Sequence, residues 1–152
     1  MGSKKLTAAL AGHSRVVVDT APLIYFLAGD PRRAPIVEEI LTWGAAGTGQ
    51  LVVSVITEAE LLVAPLGSGD ASAALAIREL LDGPSGFEVV EASRDIARRA
   101  AGIRADRGLG LADAMVVATG IEARCTALVG NDKALRRASD LLTYLHVDDL
   151  TG

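Results

Sequence analysis

The chain has 152 residues, half of them hydrophobic, so it can bury one substantial core and is too apolar for a disordered segment. Its formal net charge of −4 argues against a protein that coats nucleic acid by bulk attraction. One cysteine, Cys125, and two histidines, His13 and His146, exclude an internal disulfide framework, a cysteine-rich zinc site and a histidine cluster. A metal, if bound, must then be held by oxygen, which points to Mg²⁺ or Mn²⁺.

The apolar stretches fall short of the roughly 20 residues that a membrane span needs. The start, Met1-Gly2-Ser3-Lys4-Lys5, leads into a brief apolar segment, Leu6 to Gly12, without a signal cleavage site. A cytoplasmic location with no membrane contact is expected. Val16 to Asp19 then reads as a first strand, β-branched and buried, and Thr20 to about Ala28 as a short helix with Pro22 in its first turn. Asp30-Pro31 breaks it. A second helix runs from about Ala34 to Ala46 on the stripe Ile36, Val37, Ile40 and Leu41. Leu51 to Val55 is a second strand, followed by a helix from Thr57 to Ala64 that stops at Pro65.

Asp70 caps a helix to about Leu81, Gly83 to Gly86 is a turn, and Phe87 to Val90 is the third strand. Ser93 caps a helix to about Arg107, and Gly108-Leu109-Gly110 makes a hinge before the apolar helix Leu111 to Ala123. Ala127 to Val129 is the fourth strand, Lys133 to Ala138 a short helix, and Leu142 to Val147 a possible fifth strand. Strands alternating with helices predict an α/β fold. We expect one three-layer α/β/α domain over residues 1–152, with a central parallel sheet of four to five strands.

Four acids lie at the edges of these core elements: Asp19, Glu60, Asp113 and Asp132. Each has an ordinary explanation. Asp19 can cap the helix after it, and Glu60 fits a capping box with Thr57. Asp113 can face a helix dipole, and Asp132 can cap a turn. Glu58 is the rival to Glu60, but residues two apart point to different sides of a helix. Asp113 inside an alanine-rich apolar helix is the hardest to explain as structure, because an unpaired carboxylate there costs desolvation. Carboxylates gathered at one sheet edge repel one another and take up protons, and a divalent cation reverses that penalty. Such a pocket suits metal-assisted attack of water on a phosphodiester.

The segments Val16-Val17-Val18-Asp19-Thr20 with Leu23-Ile24, Ser54-Val55-Ile56-Thr57 with Ala59-Glu60-Leu61-Leu62, Leu111-Ala112-Asp113-Ala114 with Ala118-Thr119, and Leu128-Val129 with Asn131-Asp132 occur in the order of a known family. In these segments the chain resembles PIN-domain ribonucleases, above all the small VapC-type toxins of bacterial toxin–antitoxin pairs. The resemblance implies a metal-dependent endoribonuclease with Asp19, Glu60, Asp113 and Asp132 as its acidic set. By that resemblance Asp19 and Asp113 hold the principal Mg²⁺ or Mn²⁺, Glu60 binds directly or through water, and Asp132 completes a weaker or second site. It implies further a homodimer, a VapB-like antitoxin that reaches the acid pocket with a basic side chain, and a structured RNA substrate such as a tRNA. One position departs from the pattern: relatives usually carry Thr or Ser two residues before the last acid, where this chain has Gly130. Thr20 and Asn131 are the available substitutes.

Lys133 is close enough in sequence to neutralise substrate phosphate, and some of Arg94, Arg98, Arg99, Arg104 and Arg107 can contact RNA, or the run is simply a solvated helix face. Tyr25, Phe26 and Trp43 read as core or dimer contacts. A haloacid-dehalogenase-like phosphatase needs an acid where Ala21 stands, and a receiver domain needs an acidic neighbour that Asp19 lacks. The competing reading is a PIN-like interaction module that keeps the acids without cleaving RNA.

Overall fold

The computed structural model describes residues 3–152. Five strands, β1 (Arg15–Val18), β2 (Gln50–Ser54), β3 (Glu88–Val90), β4 (Ala127–Gly130) and β5 (Thr143–His146), form one parallel sheet in the order β3-β2-β1-β4-β5. β1 lies at the centre, with Val17 beside Val52 on one side and Leu128 on the other. Its valines are fully buried because both faces of the sheet are covered. Val16, Val18, Leu51, Val53 and Val129 point into one core with α1 (Lys4–Leu10), α2 (Thr20–Ala28), α3 (Ala34–Ala45), α4 (Val55–Ser68), α5 (Ala71–Asp82) and α8 (Val147–Leu150). Val17, Val52 and Leu128 point into the other, with α6 (Arg94–Arg107), α7 (Leu111–Glu122) and a 3-10 helix over Lys133–Ala138. Alternation along each strand thus makes the three layers.

Several boundaries differ from the sequence expectation. α1 is a helix of seven residues, capped by the Ser3 hydroxyl and anchored by buried Leu6 and Leu10. α4 begins at Val55, with Ser54 as its cap, and continues past Pro65 to Ser68. Pro65 has no amide to donate to the helix, yet the helix runs one further turn and still closes, the Pro65 carbonyl accepting from the Asp70 amide beyond left-handed Gly69. The residues after β5 turn at once into α8. α7 lies so close to the sheet that a Cβ on Gly120 would come within 2.6 Å of Val17 Cγ1. That close seat fixes α7, and with it the Asp113 turn, against the centre of the sheet. No described helix is long and apolar enough to cross a membrane.

Candidate functional site

The carboxyl ends of β1, β2 and β4 open on the same edge of the sheet, and the chain leaves β1 and β4 in opposite directions across it. Open α/β sheets place ligands in the crevice at such a switch point. Asp19 is the residue after β1 and is only 6 % exposed. Its amide continues the ladder, donating to the Val129 carbonyl at 2.9 Å. It holds the N-cap position of α2, yet its side chain makes no capping bond, so capping does not account for it.

Asp113 lies in the first turn of α7, half-buried, after an N-cap glycine that supplies no side-chain cap. The Thr57–Glu60 capping box does not form. Ser54 caps α4, and Thr57 is buried inside the helix. Glu60 instead accepts from the Thr20 hydroxyl at 2.7 Å, with the Thr57 hydroxyl oxygen 3.2 Å from that of Thr20. Asp132 does cap the 3-10 helix: one carboxylate oxygen accepts from the Ala134 amide at 2.9 Å.

The four acids share one electrostatic neighbourhood. Burial pushes the Asp19 carboxyl up to about 7 and the negative fields of Asp113, Glu60 and Asp132 add to that, while the Thr20 amide opposes them. Burial also raises Asp113, helped by Asp132 and Glu60. Among the described residues none of the four joins an ion pair. Unpaired acids packed at a sheet edge fit a hard divalent cation by donor type and by charge. As they stand, however, no three of the described His, Cys, Asp and Glu side chains are drawn together tightly enough to grip an ion. The donor set fits, and its side chains must turn inward to close on a cation.

The other expected contacts are distributed unequally. Thr20 is committed to Glu60. Asn131 is used at both ends, donating to the Tyr25 hydroxyl at 3.0 Å and accepting from the Asp148 amide at 2.9 Å, so it fastens the β4 end to α2 and α8. Arg33 completes this clasp, paired with Asp30 and Asp148 and stacked 4.7 Å from the Tyr25 ring centroid. Lys133 is exposed and, among the described residues, in no ion pair. In the arginine run, Arg99 pairs with Glu122, Arg104 donates to the Leu109 carbonyl, and Arg107 pairs with Asp140.

Tyr144 is the neighbour that sequence reasoning missed. Its hydroxyl donates to the Asp132 carbonyl at 2.8 Å. Burial raises its phenol, and the fields of Asp19 and Asp132 push the same way, which places it beside the acids. Nothing local to Thr143–His146 signals this, because the contact depends on β5 pairing with β4.

A family model described as PIN domain matches residues 16–141. No curated protein matches the chain. Among solved structures, a toxin–antitoxin complex from Klebsiella pneumoniae is 23 % identical with a TM-score of 0.64, covering 86 % of this chain and 95 % of its own. VapBC-1 from nontypeable Haemophilus influenzae is 21 % identical with a TM-score of 0.65, covering 88 % and 98 %. The VapC20 toxin of Mycobacterium tuberculosis, described as cleaving the sarcin–ricin loop, is 15 % identical with a TM-score of 0.64, covering 81 % and 94 %. At these identities the likeness is one of fold. The family match spans the strands and helices that carry all four acids, and on that match the chain belongs to the PIN-domain family.

Proposed function

We propose that this protein is a metal-dependent endoribonuclease, the toxin of a VapBC-like toxin–antitoxin pair. The observation that carries the reading is a set of four carboxylates, one of them buried, at the sheet's switch point with no cationic partner among the described residues. Carboxylates left so at a cost in free energy have a partner outside the chain. Asp19 and Asp113 would hold Mg²⁺ or Mn²⁺, with Glu60 and Asp132 completing the set. An ion held there would supply acidity to a water and offset negative charge on a phosphodiester. Thr20 holds Glu60 toward the others. Asp132 orients its turn through its Ala134 bond, and Lys133, exposed beside it, is placed to meet substrate phosphate.

Structures of similar fold include one described as a toxin–antitoxin complex, one as VapBC-1 and one as a sarcin–ricin loop cleaving toxin, which supports an RNA substrate and a cognate antitoxin here. α2 and α4 pack together and leave Ile24, Leu27, Val63 and Leu66 exposed, an apolar surface suited to a partner helix. A homodimer rests on the family resemblance. The side chains' open arrangement favours a second reading, a PIN-like module that binds RNA or protein without cutting.

One experiment separates the two. Purified protein free of antitoxin is incubated with total bacterial RNA and Mg²⁺ or Mn²⁺, beside EDTA and Asp113→Asn controls, and new 5′ ends are mapped by sequencing. Discrete cuts that need both metal and Asp113 establish the nuclease. A profile identical to the controls, from folded protein, moves the reading to the interaction module.

A further inference from the structure

Tyr144 lies beyond residue 141, where the family match ends, yet it touches the acid edge. The register of β4 with β5 sets Leu128 beside Tyr144 and Gly130 beside His146. A Cβ added to Gly130 would stand 3.0 Å from the Tyr144 hydroxyl oxygen, 3.1 Å from its Cε1 and 3.0 Å from Leu135 Cδ1. These distances are shorter than ordinary van der Waals contact. The Leu135 methyl is the end of a flexible side chain and can move aside. The phenol cannot move without breaking its bond to the Asp132 carbonyl, and its ring is also set edge-on to His146, centroids 5.7 Å apart. The one position where this chain lacks the hydroxyl residue of its resemblance is therefore a position filled from the side by another hydroxyl.

We propose that Tyr144 is a positioning residue of the acid site and that Gly130 is matched to it. The phenol takes the space that a side chain at position 130 would occupy, and it pins the Asp132 turn through the carbonyl. Two bonds then fix Asp132: its carboxylate to the Ala134 amide and its carbonyl from Tyr144. With both in place, the second carboxylate oxygen keeps one direction relative to Asp19 and Asp113. As far as it concerns metal binding, the proposal rests on the reading of the four acids as a working site.

The test uses Tyr144→Phe, Gly130→Thr, and Gly130→Thr combined with Tyr144→Val. Tyr144→Phe keeps the ring and is expected to melt close to the wild type. It should nevertheless bind Mn²⁺ about tenfold or more weakly by calorimetry, the usual cost of losing a group that orients a ligand. The Ala134 amide should exchange faster with solvent in the same variant. Gly130→Thr should melt below the wild type, and the double variant should recover most of that loss because valine leaves room. Unchanged Mn²⁺ affinity in Tyr144→Phe overturns the positioning role, and a Gly130→Thr protein as stable as the wild type overturns the matched pair. If the wild type binds no Mn²⁺, the nuclease reading fails by itself. Tyr144 is then judged by exchange at Ala134, where faster exchange in Tyr144→Phe upholds the pin and wild-type exchange overturns it.

Discussion

The acid edge and the arginine run on α6 are both dense in charge, and they differ in what that charge touches. On and around α6, Arg99 has Glu122, Arg104 has the Leu109 carbonyl and Arg107 has Asp140. At the sheet edge, the charges that act on Asp19 and Asp113 are those of other acids, and burial raises both. Three of the run's five arginines thus have neighbours that satisfy them, which is ordinary for a surface. Charge gathered without a partner, and partly removed from water, costs stability in the protein alone. The contrast is the ground for proposing the sheet edge as the working site, and the same logic makes the proposal breakable.

The largest effect is expected there. Asp19→Asn or Asp113→Asn should lower metal-dependent RNA cleavage by at least about 100-fold, since each removes a charged oxygen donor from the set. Arg99→Ala in the same assay should cut like the wild type. Equal losses in both regions would erase the distinction.

The second effect is a pH dependence of opposite sign in the two regions. The Asp19 carboxyl titrates at about 7 when folded, against 3.8 for the free group, so between those values the folded state holds a proton that the unfolded state has lost. Metal-free protein should therefore lose stability as pH rises from about 4 through 7, by up to on the order of 4 kcal/mol. Asp19→Asn should flatten that slope, and Mn²⁺ should reverse it. Asp140 is held low by Arg107, so its contribution is present above the free-carboxyl value and fades as pH falls. Chemical denaturation across the pH range, with and without Mn²⁺, reads both.

A smaller change comes from Thr20→Val, which deletes the donor to Glu60. A loss of about 1 kcal/mol in that bond corresponds to cleavage reduced roughly fivefold, with stability little altered. The smallest is Arg99→Ala, which removes an exposed pair with Glu122 and should cost about 0.5 kcal/mol or less in a denaturant melt.

What could be read from the sequence follows from range. The strands were visible because Val16 to Val18 and Ala127 to Val129 are apolar runs buried on both faces, and the acids were visible as interruptions at their ends. Glu60, preferred to Glu58 for a functional role, is the one whose field reaches Asp19, and the cap expected from Thr57 is supplied by Ser54 instead. α1 and α8 were missed because seven and four residues carry too little periodicity, and tertiary packing of Leu6, Leu10, Val147 and Leu150 makes them helical. Pro65 is a poor stop signal here because the helix continues one turn beyond it and ends at left-handed Gly69, despite the amide that proline cannot donate. The clasp made by Asn131 and the contact made by Tyr144 are out of reach. Their roles depend on partners 106 and 12 residues away, brought near only when β4 pairs with β1 and β5.

The central claim is that the acid edge is built for a divalent cation, and calorimetric titration of Mn²⁺ at pH 6 and pH 8 tests it most directly. The account predicts binding that tightens between the two pH values, as the Asp19 proton is displaced, and that disappears in Asp19→Asn. No binding at either pH, or binding indifferent to Asp19, would contradict it.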